Sequence, residues 1–296
     1  MTIPMNKELK DIYKTHAGKI SDKWQIYLEE YEEKFKKYRN GPIGLLEIGI
    51  QNGGSLEIYS EYFPNAEKII GCDIHPNCHL LKYNSKVVSV IVGDANSQNV
   101  MQMIQSYGEF DIIIDDGSHT SSDIVNSFCN YFGSLRQGGL YVIEDLHCSY
   151  WQGFDGGLFH PLSSINFLKR LVDIINHEHW GLPRGREYLL TNFAANFGAR
   201  IENLQLEMIH SIEFVNSMCF IKKLSGDANL SGLRVIAGTE SLVEAPHPDA
   251  YGQIIQSPTQ EQNFWANRAF LPEDELAACY REIEGLRAAL GASSKR

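Results

Sequence analysis

The sequence has no long apolar run and no excess of basic residues. None of its apolar stretches approaches the ~18 residues that a bilayer-spanning helix needs. The opening stretch MTIPMNKELKDIYK has no apolar centre of the kind found in secretory signals. With 26 Lys and Arg against 37 Asp and Glu, the formal net charge is -11. Nucleic acids and anionic membrane surfaces bind basic faces, so we expect neither as a partner and predict a cytoplasmic protein.

Two ligand-binding patterns are also missing. The six cysteines are scattered, and Cys72 and Cys78 have no second pair at zinc spacing. We therefore expect reduced thiols rather than zinc ligands or disulfides. The G-x-G-x-x-G turn of dinucleotide-binding domains is absent as well. An NAD-dependent oxidoreductase on a similar sheet is consequently a less favoured alternative.

Short apolar runs alternate with helical segments through the middle of the chain. Strands are predicted over 45–50, 68–74, 86–95, 110–116 and 138–145, with helices over 54–63 and 119–135. This alternation is typical of βαβ units and a mostly parallel sheet, so the fold class is α/β. The segments NLQLEMIH and SIEFVNSMCFIKK predict two more strands joined by a short turn. They would complete a seven-stranded sheet whose last strand is antiparallel.

The flanking segments differ from this core. Residues 1–42 predict one or two amphipathic helices, 43–223 form the core, and 224–296 form a C-terminal extension. Later helices are predicted over 163–180, 186–198 and 272–290. Apolar residues in the last of these alternate at spacings of three and four, which is typical of a coiled-coil seam: Leu276, Cys279, Ile283, Leu286 and Leu290. This helix either docks on its own domain or contacts a second subunit or an adjoining domain.

Glycines and acids follow successive strands at the edge where parallel sheets bind ligands. The first turn, EIGIQNGGS, places Glu47 just before a glycine-rich bend, which suits a ligand with an amino-acid tail better than a pyrophosphate. S-adenosylmethionine is such a ligand. Asp73 ends the next strand, where it can accept hydrogen bonds from both ribose hydroxyls, and Asp94 can meet an adenine amino group. The predicted cofactor-binding residues are Glu47, Gly49, Gly53, Ser55, Asp73, Asp94 and Asp115.

Two strands end in paired acids followed by a histidine, as DDGSH and EDLH. If these strands are neighbours, Asp116, Glu144 and Asp145 repel one another unless a cation lies between them. Oxygen ligands without thiolates favour Mg²⁺, Mn²⁺ or Ca²⁺ over zinc, and Mg²⁺ is our first choice. His119 is predicted to open the following helix, where the helix N-terminus favours the neutral imidazole that a general base needs.

At these motifs the sequence resembles a known family. FDIIIDDGSH, GGLYVIEDLHCSYW and FLKRLVDIINHE resemble the metal-dependent class I methyltransferases that O-methylate sugars of macrolides such as mycinamicin and tylosin. Related domains occur with surface-polysaccharide genes and in polyketide synthases. The resemblance covers roughly residues 43–223 and implies a Rossmann-like fold that uses S-adenosylmethionine and a divalent cation. It places the metal ligands on Asp116, Glu144 and Asp145, the base on His119, and cofactor contacts on Glu47, Gly49, Asp73, Asp94 and Asp115.

The resemblance implies methyl transfer to a sugar hydroxyl of a natural-product or surface-polysaccharide glycoside. A hydroxyl of a carrier-bound polyketide intermediate is the alternative acceptor. The loop YWQGFDGG predicts a lid in which Tyr150 and Trp151 stack on a sugar face. Two departures from the family are a shorter N-terminal part, so that its oligomeric state does not carry over, and Cys148 in place of the usual threonine. Another metal enzyme on this fold and a non-catalytic binding module stay open.

Overall fold

The computed structural model describes residues 7–201, 204–240, 242–243, 252–254 and 257–267. These residues fall into two compact units. The first unit contains the described residues of 7–175 and 186–230, and the second contains 176–185 and the described residues from 231 onward. The helix predicted over 272–290, with its proposed subunit contact, lies outside the described residues. The predicted domain boundaries at 42 and 223 stay predictions.

Seven strands of the first unit form one sheet in the order β3-β2-β1-β4-β5-β7-β6. The strands are β1 Gly44–Ile48, β2 Lys68–Asp73, β3 Val88–Val92, β4 Phe110–Asp115, β5 Leu135–Ile143, β6 Ile209–Val215 and β7 Met218–Lys223. The first five are parallel, and β7 runs antiparallel between β5 and β6. The predicted fold class, a mostly parallel seven-stranded sheet with an antiparallel last strand, is confirmed.

Helices pack on both faces of this sheet, which explains why the strands are apolar almost throughout. The helices of this unit are α1 Leu9–Thr15, α2 Gln25–Phe35, α3 Gly54–Tyr62, α4 Gln98–Gln105, α5 Ser121–Tyr131, α6 Ser164–Ile175 and α7 Thr191–Phe197. One face of β4 packs Ile112 and Ile114 into a core with residues of α1, α2 and α3. On the other face, the ring of Phe128 lies 5.2 Å from that of Tyr141 and 5.8 Å from that of Phe167.

The N-terminal helices are part of this core. Tyr27, Tyr31 and Phe35 recur every four residues along α2 and are all fully buried, as one face of an amphipathic helix should be. The rings of Tyr31 and Phe35 stack with their centroids 4.5 Å apart. The ring centroid of Phe35 lies 5.8 Å from that of Phe63, the residue that follows α3. This packing fixes α2 across the sheet. None of the helices in the described part of the chain is long and apolar enough to cross a bilayer.

Several predicted elements differ in their bounds from the observed ones, and two of the differences concern residues near the site. The antiparallel pair is confirmed, but its turn is Asn216–Ser217 rather than a point near residue 210. Ser217 has a φ of 69°, a left-handed value of the kind found at the second central residue of a type II turn. The other element, α5, begins at Ser121 because the side chain of Thr120 accepts a hydrogen bond from the amide of Asp123 and caps the helix. His119 therefore precedes the helix instead of opening it.

Candidate active site

A cavity of about 830 Å³ opens at the carboxyl ends of the parallel strands. Strand order reverses between β1 and β4, and such reversals are where open α/β sheets bind ligands. Most of the predicted site residues line this cavity: Gly49, Ser55, Asp73, Asp94, Asp115, Asp116, His119, Glu144 and Asp145. Glu47, Gly53, Tyr150 and Trp151 lie outside its lining, so contacts of these four with a ligand stay predictions.

Acids at the ends of β2 and β3 shape one side of the cavity. One carboxylate oxygen of Asp73 accepts hydrogen bonds from the backbone amides of Ile50 and Gln51, at 2.9 and 2.7 Å. Asp73 thereby holds the first turn, in which Gln51 has a φ of 47°. Asp94 is exposed and accepts a bond from the amide of Asn96 at 2.8 Å. Both acids border the space where a nucleoside was predicted, and their direct contacts with one stay predictions.

Two deeply buried acids have an oxygen that accepts no hydrogen bond from any described residue. These atoms are Oε1 of Glu47 and Oδ2 of Asp115. Burial raises the pKa of both carboxyl groups to about 7. Because a buried acceptor without a donor costs free energy, the oxygen of Asp115 suits a ligand that donates a hydrogen bond from the cavity. The residues present therefore fit a cofactor with hydroxyl and amino groups.

The glycines of the first turn are required by the protein itself. A Cβ atom on Gly49 would lie 2.0 Å from the carbonyl oxygen of Asp116, and one on Gly53 would lie 2.1 Å from the hydroxyl of Tyr83. Both glycines also have positive φ, at 85° and 74°, where other residues are strained. Gly49 allows the end of β1 to lie against Asp116, and Gly53 allows the start of α3 to lie against Tyr83. These contacts explain both glycines without a ligand.

The other side of the cavity brings together Asp116, His119 and Asp145. One ligand atom from each lies within 4.8 Å of the others. Nε2 of His119 is 4.0 Å from Asp116 Oδ1 and 3.7 Å from Asp145 Oδ2. Burial lowers the pKa of the His119 imidazole, which favours the neutral form. His119 and Asp145 have φ values of 59° and 52°, and such left-handed conformations cluster at functional sites.

A lysine ammonium lies between the converging acids. Nζ of Lys23 is 2.5 Å from Asp116 Oδ2, 2.7 Å from Glu144 Oε1 and 3.6 Å from Glu47 Oε1. The hydroxyl of Tyr31 donates to the same oxygen of Glu144. Burial raises the pKa of the carboxyl groups of Asp116 and Glu144 to about 7, against the opposing effect of Lys23. Asp116 and Glu144 thus meet at Lys23, whereas Asp116 and Asp145 meet at His119. These carboxylates fit a hard divalent cation, and the assignment of Asp116, Glu144 and Asp145 as its ligands stays a prediction.

Sequence reasoning missed the contribution of the N-terminal segment to this site. Besides Lys23 and Tyr31, the indole of Trp24 donates to Asp145 Oδ1 at 3.2 Å, and the hydroxyl of Tyr27 donates to the same oxygen at 2.7 Å. The spacing of the tyrosines along α2 indicated a buried face. Nothing in the local sequence, however, showed that their hydroxyl groups would meet acids more than 100 positions away.

A row of aromatic rings leads out of the cavity beside Asp145. The ring of His147 lies 6.1 Å from that of Trp24 and 4.9 Å from that of Trp151. Trp151 in turn lies 6.0 Å from Phe154. Trp24 and Trp151 are exposed by 60% and 51% of their surface. Large apolar rings exposed next to a cavity are typical of a binding surface.

Comparison with known proteins identifies relatives with one kind of activity. No family model matches the sequence. The chain is 32% identical over 226 residues to an 8-demethyl-8-alpha-L-rhamnosyl tetracenomycin-C 2'-O-methyltransferase of Streptomyces olivaceus, covering 72% of this chain and 55% of the relative. It is 38% identical over 164 residues to a mycinamicin VI 2''-O-methyltransferase of Micromonospora griseorubida, covering 51% of this chain and 40% of the relative. The chain spans about half the length of the curated relatives that it matches.

A solved structure agrees with these relatives. The MycE methyltransferase of the mycinamycin biosynthetic pathway, in complex with Mg, SAH and mycinamycin VI, is 29% identical to this chain. It aligns with a TM-score of 0.61 over 75% of this chain and 55% of its own. The motif resemblance is thus confirmed, and by sequence and by fold the chain is a relative of the O-methyltransferases that act on sugars of macrolides and related natural products.

Proposed function

We propose that this chain transfers a methyl group from S-adenosylmethionine to a sugar hydroxyl of a natural-product glycoside. The reaction would use a divalent cation, with Mg²⁺ as the first choice, bound by the carboxylates of Asp116, Glu144 and Asp145. One observation carries the proposal: Asp116, His119 and Asp145 converge at one side of a cavity whose other side holds Asp73, Asp94 and Asp115. The first group can activate an acceptor hydroxyl, and the second can bind a nucleoside. The relatives named above support the same reaction.

His119 is the proposed general base. Burial lowers the pKa of its imidazole, and Nε2 lies 3.7 Å from Asp145 Oδ2. The neutral ring can accept a proton from a hydroxyl, and the carboxylate can stabilise the imidazolium that forms. A bound divalent cation would lower the pKa of the acceptor hydroxyl, and S-adenosylmethionine would supply the methyl group and its leaving group. The protein itself would position the reactants and supply the negative charges of Asp116, Glu144 and Asp145 that hold the cation.

The aromatic row of Trp24, His147, Trp151 and Phe154 is the proposed acceptor surface. Sugars present an apolar face of C–H groups, and exposed rings beside a cavity can stack on such a face. Two curated relatives are named for rhamnosyl substrates, which supports a glycoside over the alternative of a carrier-bound polyketide. Tyr150, 43% exposed, adjoins this row. A cytoplasmic location stays part of the proposal.

The proposal is tested by incubating the protein with S-adenosylmethionine, Mg²⁺ and a panel of rhamnosyl and other deoxysugar glycosides. We expect a mass gain of one methylene on a sugar, together with S-adenosylhomocysteine. His119→Asn should slow transfer by about 10²–10⁴ while leaving S-adenosylhomocysteine binding intact, and excess chelator should stop transfer. Methylation of a carrier-bound polyketide with every glycoside left untouched would refute the acceptor class. Full activity in chelator would refute the metal requirement.

A further inference from the structure

Lys23 lies among the proposed metal ligands but has no part in the proposed reaction. Its side chain is 3% exposed and carries a charge into a cluster that also contains Glu47, Asp116 and Glu144. Lysine ammonium groups are almost never buried this deeply unless they are paired. Here the pairing is with acids whose own burial is costly, so the ammonium offsets a repulsion that would otherwise exist between the carboxylates.

An irregular segment delivers this ammonium to the cluster. Residues 19–24, which we call the Lys23 strap, connect α1 to α2 without helical structure. At one end the amide of Lys19 donates to Glu57 at 2.8 Å, and the carbonyl of Ile20 accepts from the amide of Gly54 at 3.2 Å. At the other end Trp24 donates to Asp145. The Lys23 strap is therefore fixed on both sides of the cavity, with the ammonium in between.

The ammonium group of Lys23 bonds carboxylates that are also proposed to hold the divalent cation. Asp116 Oδ2 and Glu144 Oε1 are the atoms nearest to Lys23, and their residues are two of the three proposed metal ligands. The ammonium group bonds these oxygens at 2.5 and 2.7 Å. The second oxygen of Asp116, Oδ1, faces His119 together with Oδ2 of Asp145, so a divalent ion held there would share the Asp116 carboxylate with the ammonium group. Two positive charges a few ångströms apart in a buried site also repel strongly.

We propose that Lys23 is a tethered competitor of the metal: its ammonium holds the acids together without a divalent ion and has to withdraw, with the Lys23 strap, when one binds. The inference rests on the proposed metal site at Asp116, Glu144 and Asp145. The observed affinity for the metal is then the free energy of metal binding less the free energy of the ammonium contacts that the metal displaces. It also means that Trp24, which bonds the third proposed ligand, reports on metal binding through the movement of the strap.

The test is a calorimetric titration of Mn²⁺ into the wild-type protein and Lys23→Met. Methionine keeps a similar length without the charge, so we expect at least tenfold tighter Mn²⁺ binding. Lys34→Met is the matched control, because Lys34 lies on the neighbouring helix α2 and also pairs with acids, Glu33 at 3.0 Å and Glu213 at 2.8 Å, away from the proposed metal ligands. It should bind Mn²⁺ as the wild type does. Unchanged or weaker binding by Lys23→Met overturns the inference.

A second measurement needs no variant and covers a failure of Lys23→Met to fold. Hydrogen exchange of the wild-type protein should become faster at the amides of residues 19–24 when Mn²⁺ saturates the site. Unchanged or slower exchange there overturns the inference. Asp116→Asn locates the ion, since it should abolish Mn²⁺ binding and its effect on exchange.

The outcomes also separate this inference from the proposed function. Metal-dependent methyl transfer combined with equal Mn²⁺ affinity in the wild type and Lys23→Met overturns the competition alone. Absence of Mn²⁺ binding in both proteins, with methyl transfer that persists in chelator, overturns the competition together with the proposed metal site.

Discussion

Tyr31→Phe removes one hydroxyl from the centre of the molecule and nothing else. That hydroxyl donates to Glu144 Oε1, both residues are buried, and the ring stacks on Phe35 at 4.5 Å. Phenylalanine keeps the ring and its stacking. The variant therefore isolates a single hydrogen bond to a buried acid, and with it the docking of α2 on the end of β5.

The expected loss of stability depends on the other contacts of Glu144. A hydrogen bond to a charged group contributes about 1.5–3 kcal/mol net. Lys23 still donates to the same oxygen of Glu144 at 2.7 Å, so the acid keeps a partner. We therefore expect a loss of about 2 kcal/mol in the free energy of unfolding, near the lower part of that range. For a chain of this size, that corresponds to a Tm lower by roughly 4–8 °C.

Tyr59→Phe is the matched control. The hydroxyl of Tyr59 is equally buried, but it has no hydrogen-bond partner among the described residues. Removing a buried polar group without a partner costs nothing or stabilises, so its Tm should be unchanged or higher. Thermal unfolding and urea denaturation, each in chelator, measure both variants. A Tyr31→Phe protein as stable as Tyr59→Phe would refute the role given to the bond to Glu144.

Further predictions concern binding and turnover. Asp115→Asn should weaken S-adenosylhomocysteine binding about tenfold or more in calorimetry, since its unpartnered buried oxygen is the proposed acceptor for a cofactor donor; unchanged affinity would contradict that contact. His119→Asn should lower kcat by about 10²–10⁴ in a methyl-transfer assay, and a wild-type kcat would remove His119 as the base. Trp151→Ala should raise KM for a glycoside several-fold with little change in kcat, because Trp151 packs on the rings of His147 and Phe154 at the surface; an unchanged KM would exclude it from the acceptor surface.

The sheet and the acid cluster could be predicted because both depend on local patterns. Apolar runs of five to nine residues correspond to strands, and parallel pairing brings their carboxyl ends to one edge. Asp115 ends β4 and Asp116 follows it, while Glu144 and Asp145 follow β5 directly. Pairing of β4 with β5 places Asp115 opposite Ile143. Predicting that these acids lie close together therefore required only the correct strand order.

Some of the remaining features depend on contacts that leave no local pattern. Lys23 is one of many lysines in a polar N-terminal segment, and its partner Glu144 lies 121 positions away. The position of His119 was misjudged by two residues, although a local signal existed: Thr120 and Asp123 form the capping pattern that marks a helix start, and Thr120 caps α5. The turn at Asn216–Ser217 was missed because the alternation of apolar residues continues on both sides of it.

The long-range bonds of α2 have a consequence for the order in which the chain can mature. During synthesis α2 emerges long before β5 and β7, yet Tyr27 bonds to Ser217, 190 positions later, and Lys23 bonds to Glu144. Closing such large loops is entropically costly and slow. The hydroxyl groups of Tyr27 and Tyr31 thus stay without their hydrogen-bond partners until nearly the whole first unit has left the ribosome. Nascent chains halted before residue 217 should consequently bind neither metal nor cofactor tightly, so these capacities arise together, late in translation.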